Sequence, residues 1–218
     1  MARIGTTFTE ALMGLLEIAW GILTPFLRSR RLRWGAREGE RGNSYPGDSL
    51  VPAPKWMANH AISIDASPEQ VWPWIAQIGQ GRGGFYSYQK LENLAGCQIV
   101  NTARILEEHQ QIRVGDPIRI HVEVPPLSAA VVDAPNVLVL FGNPAESDES
   151  TKLSTTWGFL LLEQPDGTTR LLSRTRYHYA DNLRSRLMGG PWLVEPISFV
   201  MERKMLRVIK SLAESPQP

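Results

Sequence analysis

The side chains best suited to chemistry follow a glycine-rich corner, GQGRGG, at residues 79–84. Within and just after this corner come one guanidinium and three aromatic rings, contributed by Arg82, Phe85, Tyr86 and Tyr88. Glycine allows backbone turns that other residues resist, so a corner of this kind can bring neighbouring side chains to one place. The pattern is typical either of a tight turn that needs positive φ at several positions or of a pocket mouth. Pockets lined by aromatic side chains hold small apolar molecules.

Two residues are candidates for acid–base catalysis, Glu92 and His121. Glu92 lies four residues after Tyr88 on a helix predicted over 86–97. If it is buried, desolvation raises its pKa towards neutrality, where a carboxyl can act as a general base. The commoner role for such a glutamate is to accept a hydrogen bond from Tyr88 or Arg82. Catalysis by Glu92 or His121 would require a tyrosine or arginine within hydrogen-bond reach inside a cavity.

The glycine corner also matches GxGxxG, through Gly79, Gly81 and Gly84. A dinucleotide site needs a strand before these glycines and a helix after them, whereas here the predicted helix comes first. The four histidines are scattered and the chain has one cysteine, Cys97, so no zinc-site spacing is present. We expect neither a cofactor nor a metal.

The overall composition excludes further classes of function. The 218 residues carry a formal net charge of +1, so a concentrated basic surface for nucleic acid is not expected. Hydrophobic residues make up 43% of the chain, which is enough for a sizeable core. The single cysteine rules out an intrachain disulfide and fits a reducing compartment.

An almost wholly apolar stretch, FTEALMGLLEIAWGILTPFL at 8–27, precedes four arginines within 28–33. Three interpretations stay open: a packed or interfacial amphipathic helix, a single membrane anchor, or a signal peptide. Against a span, Glu17 would lie near the bilayer centre at a cost of about 2.5–3.5 kcal/mol. Against a signal peptide, Arg3 is the only early positive charge and no cleavage site follows. We expect a cytoplasmic protein. If the helix lies on the membrane or spans it, residues 8–33 would attach the protein to the inner membrane face, where the arginines would meet anionic lipid.

Composition divides the chain into three segments. Residues 1–34 form the N-terminal helix and its basic flank. Residues 35–55 are rich in glycine, proline and charge, and predict a linker or a surface strap. Residues 56–214 form the main domain.

The main domain begins with a strand at 56–64 and then a helix. Ser67 as N-cap, Pro68 at the first helical position and Gln70 form a capping box. The helix runs to Ile78 with Trp72 and Trp74 on its apolar side, and Pro73 is expected to bend it.

The following region predicts an antiparallel meander. IRIHVEV at 118–124 alternates apolar and polar residues, and a hairpin turn is predicted at 164–167, with another turn cluster at 143–150. In the last strand, Arg174, Arg176 and His178 share a face. Such a row could bind a carboxylate or phosphate, but more commonly it is the solvated face of a sheet.

The chain closes with an amphipathic helix within 191–212. Its apolar stripe has a period of 3.6 residues and includes Met201 and Met205, backed by polar residues such as Glu202 and Arg203. Methionine adapts to irregular ligands.

Three stretches resemble a known superfamily: IDASPEQVWPWIAQIG (64–79), RGGFYSYQKLENLAG (82–96) and PISFVMERKMLRVIK (196–210). They are similar to the SRPBCC group of START and Bet v1-like proteins, and to its bacterial polyketide cyclase/dehydrase-like members. The resemblance covers about 33–211. It implies an α+β helix-grip fold, in which a curved antiparallel sheet wraps a long C-terminal helix around an apolar cavity. It does not imply one activity, because the superfamily holds carriers, receptors and enzymes.

Two hypotheses of function follow. The first is binding or transfer of a hydrophobic small molecule, such as a lipid, isoprenoid or aromatic polyketide. The second is a cyclase or dehydratase that uses acid–base residues in the same cavity. The expected ligand-binding residues are Trp72, Trp74, Arg82, Phe85, Tyr86, Tyr88, Trp157, Arg174, Met201 and Met205. Several of the aromatic residues are also candidates for ordinary core packing.

Overall fold

The computed structural model describes residues 6–142 and 152–215, and the turn cluster predicted at 143–150 lies outside these ranges. The helices are α1 Phe8–Leu23, α2 Arg28–Arg31, α3 Gly39–Gly42, α4 Pro68–Ala76, α5 Gln89–Leu94, α6 Leu183–Gly189 and α7 Val194–Glu214. The strands are β1 Trp56–Ile64, β2 Pro117–Ile118, β3 Leu127–Asp133, β4 Val137–Gly142, β5 Ser154–Glu163 and β6 Thr169–His178. Short 3-10 turns lie at Pro25–Leu27, Asp48–Leu50 and Glu107–His109.

The six strands form one curved antiparallel sheet in the order β1-β6-β5-β4-β3-β2. The hairpin predicted at 164–167 joins β5 to β6, and β1 pairs along β6 from Trp56 opposite Tyr177 to Ile64 opposite Thr169. The 21-residue helix α7 packs on one face of the sheet together with α4. The predicted α+β helix-grip fold is therefore confirmed.

The strand predicted at 118–124 was wrong for most of its length. Only Ile118 and the residue before it pair with β3, and the chain from 119 onwards leaves the sheet. Pro125 and Pro126 follow this stretch, and neither can donate a ladder hydrogen bond, so the alternating pattern is not continued as a strand.

The core lies between the sheet and the helices α4 and α7. Helix α4 begins at the predicted capping box of Ser67 and Gln70 and ends at Ala76. Its inward side chains pack with those of the central strands and of α7, and the largest fully buried ones include Trp74, Ile75, Phe159, Leu138 and Leu161.

The arginines of β6 lie on the opposite face of the sheet and are covered by the strap at residues 35–55. Arg170 is paired with Glu40, and Arg174 with Asp48. Arg176 donates to the backbone oxygen of Val51 at 2.9 Å. Arg174 and Arg176 are therefore buried under the chain's own strap rather than solvated, because these cations attract the strap's acids and carbonyl groups. His178, the third member of the predicted row, is only partly buried, with its Nδ1 2.9 Å from the backbone oxygen of Ala53.

Helix α1 packs on the outer side of α7. Glu10 bonds Lys204 at 2.8 Å, Glu17 is paired with Arg203, and Gly21 lies against Pro196. In the described part of the chain, no single helix has the length and apolar character to cross a bilayer. The α1 helix and Pro25–Arg31 meet these criteria only together, across a bend of 92°.

Candidate functional site

A cavity of about 340 Å³ lies between the sheet and α7. Its apolar lining comes from Phe85, Ile120, Leu127, Trp157, Tyr177, Ile197, Met201 and Met205. Its polar lining comes from Ser87, Glu92, Thr155, Thr175, Ser198 and Glu202. The cavity therefore offers mainly apolar wall with a small number of polar groups, which is the usual make-up of a small-molecule site.

Regular secondary structure places most of the wall. Ile197, Met201 and Met205 recur every four residues along α7, so they share the helix side that faces the sheet. Opposite them, Trp157 on β5 pairs with Thr175 on β6, and alternate residues of each strand point to the same face.

The glycine corner directs its aromatic residues in different directions. The side-chain oxygen of Asn101 accepts hydrogen bonds from the backbone N–H groups of Phe85 at 3.0 Å and Tyr86 at 2.8 Å. Tyr86 has a positive φ of 57°, which is uncommon for a residue other than glycine. Because these bonds fix the backbone, the Phe85 side chain faces the cavity and the Tyr86 side chain points into the core. There the Tyr86 hydroxyl accepts a hydrogen bond from Gln77 Nε2.

Glu92 lies at the cavity wall with half of its carboxyl group unpaired. Ser87 Oγ donates to Glu92 Oε1 at 2.8 Å, whereas Oε2 is buried without a hydrogen-bond partner among the described residues. The residue is 7% exposed. Burial raises the pKa of Glu92 to about 7, against the opposing effect of the Ser87 hydrogen bond. Near neutral pH this carboxyl can therefore either donate or accept a hydrogen bond.

A second buried acid, Glu202, has hydrogen-bond partners on both carboxylate oxygens. Ser173 Oγ and His60 Nδ1 both contact its carboxylate, and Trp157 Nε1 donates to Oε1 at 3.0 Å. Burial acts to raise the pKa of Glu202, but the charge and hydrogen bond of His60, with the bonds from Ser173 and Trp157, hold it below its ordinary value. His60 Nε2 in turn donates to the backbone oxygen of Arg31 at 2.9 Å.

This cluster was missed by the sequence analysis, which placed Glu202 on the polar side of the terminal helix. A signal was present, since Ser198, Met201, Glu202 and Met205 have the i, i+3, i+4, i+7 spacing of one helix face. His60 gave no such signal, because its partner is 142 residues away in the chain.

Five predicted site residues line the cavity: Phe85, Glu92, Trp157, Met201 and Met205. Of the others, Trp72, Trp74 and Tyr86 are buried in the core cluster.

The remaining predicted residues lie elsewhere. Arg82 donates to the backbone oxygens of Ala76 at 2.8 Å and His109 at 3.3 Å, closing the glycine corner. Tyr88 lies under α1, with its ring carbon 3.1 Å from the position of a Cβ on Gly14.

Two further predictions are corrected by their surroundings. Arg174 points to the strap face of the sheet, away from the cavity, because it follows Ser173 and precedes Thr175 in the strand alternation. His121 lies in the loop after β2 and does not line the cavity. Its Nε2 is 3.1 Å from the backbone oxygen of Ala95.

The chemical capacity of the site rests on one acid. Among residues 6–142 and 152–215, Ser87 is the only side chain that bonds the Glu92 carboxyl. No group of three or more histidine, cysteine or acidic side chains within these ranges is arranged to hold a metal ion. The arrangement can bind an apolar molecule and offer one adaptable hydrogen-bonding group.

No protein-family model and no curated protein matches the chain. Among solved structures, the chain is similar to protein MLL2253 from Mesorhizobium loti, with 15% identity, 72% of this chain and 96% of that chain covered, and a TM-score of 0.42. It is also similar to TTHA0849 from Thermus thermophilus, with 14% identity, coverage of 72% and 97%, and a TM-score of 0.28. Neither similarity bears on function.

Proposed function

We propose that the protein binds or transfers a hydrophobic small molecule in the cavity between the sheet and α7. The observation that supports this most is the cavity's lining, in which aromatic, aliphatic and methionine side chains predominate. Burying apolar ligand surface against such a wall contributes about 25 cal/mol per Å² before the costs of association. We also propose, from the resemblance of the sequence, that the chain is an SRPBCC-type protein of the polyketide cyclase-like subgroup.

The volume of the cavity favours a small ligand. Ligand pockets range over roughly 300–1,000 Å³, so about 340 Å³ is near the lower end. A compact aromatic molecule, an isoprenoid or a single lipid chain suits this volume better than a two-chain lipid. The unpaired Oε2 of Glu92 provides a place for one polar end group, either a hydroxyl or a carbonyl.

An enzyme of the cyclase or dehydratase type is the second candidate, and Glu92 favours it. A general acid or base works best when its pKa lies near the operating pH, and burial brings the pKa of Glu92 to about 7. In that case Glu92 Oε2 would exchange a proton with the substrate directly.

Native mass spectrometry of gently purified protein tests the first proposal. We expect a species heavier than the bare chain by the mass of a small organic molecule, lost after extraction with an organic solvent. A double variant, Ile197→Trp with Met201→Trp, adds two rings to the cavity and should be isolated without the extra mass. Equal occupancy in this variant and the unmodified protein would contradict binding in the cavity.

The molecule that co-purifies with the protein also distinguishes the binding protein from the enzyme. Glu92→Gln keeps the shape and the Ser87 hydrogen bond but cannot transfer a proton. A binding protein retains the ligand in this variant, with no change in the ligand's chemical structure in either form. Conversion of the ligand by the unmodified protein, lost in Glu92→Gln, would identify the enzyme instead.

A further inference from the structure

The outer side of α1 exposes large apolar side chains in a continuous row. Its most prominent members are Phe8, Leu12, Leu15, Leu16, Trp20 and Leu23. The buried side of the helix is made of small residues, Ala11, Gly14 and Gly21. This is the reverse of a surface helix in a globular protein, which buries its large apolar residues and exposes polar ones.

Close packing fixes this orientation. A Cβ at Gly14 would lie 3.0 Å from Leu91, and a Cβ at Gly21 would lie 3.1 Å from Pro196. The helix backbone therefore approaches α5 and α7 closely on its small side, and rotating the larger residues inward would not leave room for them.

The charged residues of α1 follow the same division. Glu10 and Glu17 turn towards α7, where they pair with Lys204 and Arg203. Both acids are thus paired with cations of α7, although their side chains stay partly exposed. Just beyond the helix, Arg30 and Arg33 are exposed. Arg30 lines a groove with Leu16 and Trp20, and Arg33 lines another with Phe26, so the basic charge lies next to the apolar surface.

The apolar surface continues beyond α1. Ile22 and Pro25 line a groove together with Pro191 and Trp192, which precede α7. Phe26 and Trp192 are 77% and 67% exposed. Trp192 therefore lies beside Ile22 at one flank of α1, and Trp20 is exposed on α1 itself. Tryptophan is enriched where proteins meet the interface of a bilayer.

We propose that this surface, the outer side of α1 with Phe26 and Trp192, lies on an anionic lipid bilayer, with α1 parallel to the membrane plane. Apolar side chains would enter the boundary between head groups and acyl chains, and Arg30 and Arg33 would meet anionic head groups. The cytoplasmic leaflet carries such lipids. The proposal does not depend on the cavity, which lies on the other side of α7.

Charge favours lipid over a second copy of the chain. A second copy would bring Arg30 and Arg33 to a helix face whose acids, Glu10 and Glu17, are already paired inward. An anionic membrane offers the charge that this face lacks, together with a surface large enough to cover the whole apolar row.

Co-sedimentation of the full chain with vesicles tests the proposal. One set contains phosphatidylcholine alone and the other phosphatidylcholine with phosphatidylserine. We expect stronger binding to the second set, weakened by salt and reversed by alkaline carbonate. Because each arginine near such a surface is worth about 1 kcal/mol, Arg30→Gln with Arg33→Gln should weaken binding by on the order of tenfold or more.

Leu12→Glu with Leu16→Glu should abolish sedimentation with either set. The matched control is Val114→Glu with Val124→Glu, which places the same charges at positions 66% and 42% exposed in the loops on either side of β2, and it should bind as the unmodified protein does. Circular dichroism establishes that each variant is folded.

Equal binding by all variants would overturn the proposal. Retention of the protein on the vesicles after carbonate would also overturn it, because such retention marks a spanning segment. A dimer disrupted by Leu12→Glu with Leu16→Glu, without vesicle binding, would identify a second copy as the partner and also overturn it.

Discussion

Two buried glutamates face the cavity and differ in what surrounds their carboxylates. Glu202 has three side-chain partners, and its pKa lies below its ordinary value. Glu92 has one partner, and burial raises its pKa to about 7. Desolvation raises the pKa of both, and only Glu202 has a charged neighbour, His60, which together with the hydrogen bonds from His60, Ser173 and Trp157 reverses the direction of the shift. Glu202 serves the structure, whereas Glu92 keeps an oxygen available for a ligand.

Glu92 should make stability depend on pH near neutrality. The ordinary pKa is 4.5 and that of folded Glu92 is about 7, so between these values the folded state holds a proton that the unfolded state has lost. The free energy of unfolding then falls as pH rises through this window, by up to about 3 kcal/mol. Glu92→Gln lacks this loss, so its stability relative to the unmodified protein should rise between about pH 5 and pH 8.

Urea denaturation at several pH values measures this difference. Glu163→Gln makes the same chemical change at an exposed position of β5 and is the matched control. A stability difference between Glu92→Gln and the unmodified protein that stays constant with pH would show that the Glu92 carboxyl is not the desolvated acid described above.

Residue-level prediction succeeded where the signal was local. Glu92 was a candidate because of its place after the aromatic corner, and the structure puts it at the cavity. Asn101, His60 and Ser173 were not predicted, because their partners lie 15 to 142 residues away in the chain and belong to other elements or loops. Hydrogen bonds of this kind depend on the tertiary structure and leave no periodic pattern in the sequence.

At the scale of elements, the strap is held by buried ion pairs. Asp48 accepts hydrogen bonds from Arg174 at 2.7 and 2.9 Å and from the backbone of Tyr45 at 3.1 Å. Burial acts to raise the pKa of Asp48, but these bonds and the nearby Arg176 hold it below its ordinary value. Removing the carboxylate would leave buried guanidinium groups without their counter-charge.

Asp48→Ala should therefore destabilise the protein by about 3 kcal/mol and release the strap. Limited proteolysis should then cut within residues 35–55 faster than in the unmodified protein. The matched control is Asp181→Ala, which breaks the exposed Lys55–Asp181 pair at the end of the strap and should change stability little. Similar proteolysis of Asp48→Ala and the unmodified protein would mean that the strap is anchored by other contacts.

Element-level prediction was best where capping signals were strong. The Ser67–Gln70 capping box started α4 as predicted, and the turn at 164–167 joined two strands. The strand predicted at 118–124 was wrong because alternation alone does not show whether a partner strand is present. The sequence analysis left open whether 35–55 is a linker or a strap, since the ion pairs that hold it require β6 to be in place.

At the scale of the whole molecule, the fold is a series of layers. The strap covers one face of the sheet, the cavity and α7 lie on the other, and α1 covers the outer side of α7. The order of elements and their periodicity predicted an antiparallel meander followed by a long amphipathic helix, and the resemblance to the SRPBCC group supplied the helix-grip arrangement. They could not give the volume of the cavity, which depends on the side chains that α7 and the curved sheet leave unpacked.

The central proposal is that this cavity binds an apolar molecule, and titration with the neutral fluorophore N-phenyl-1-naphthylamine tests it most directly. The proposal predicts saturable fluorescence enhancement with the delipidated protein. Binding should be lost in Ile197→Trp with Met201→Trp and retained in the control, Leu94→Trp with Val114→Trp, whose added rings lie at exposed positions. Equal enhancement with both double variants, or none with the unmodified protein, would contradict it.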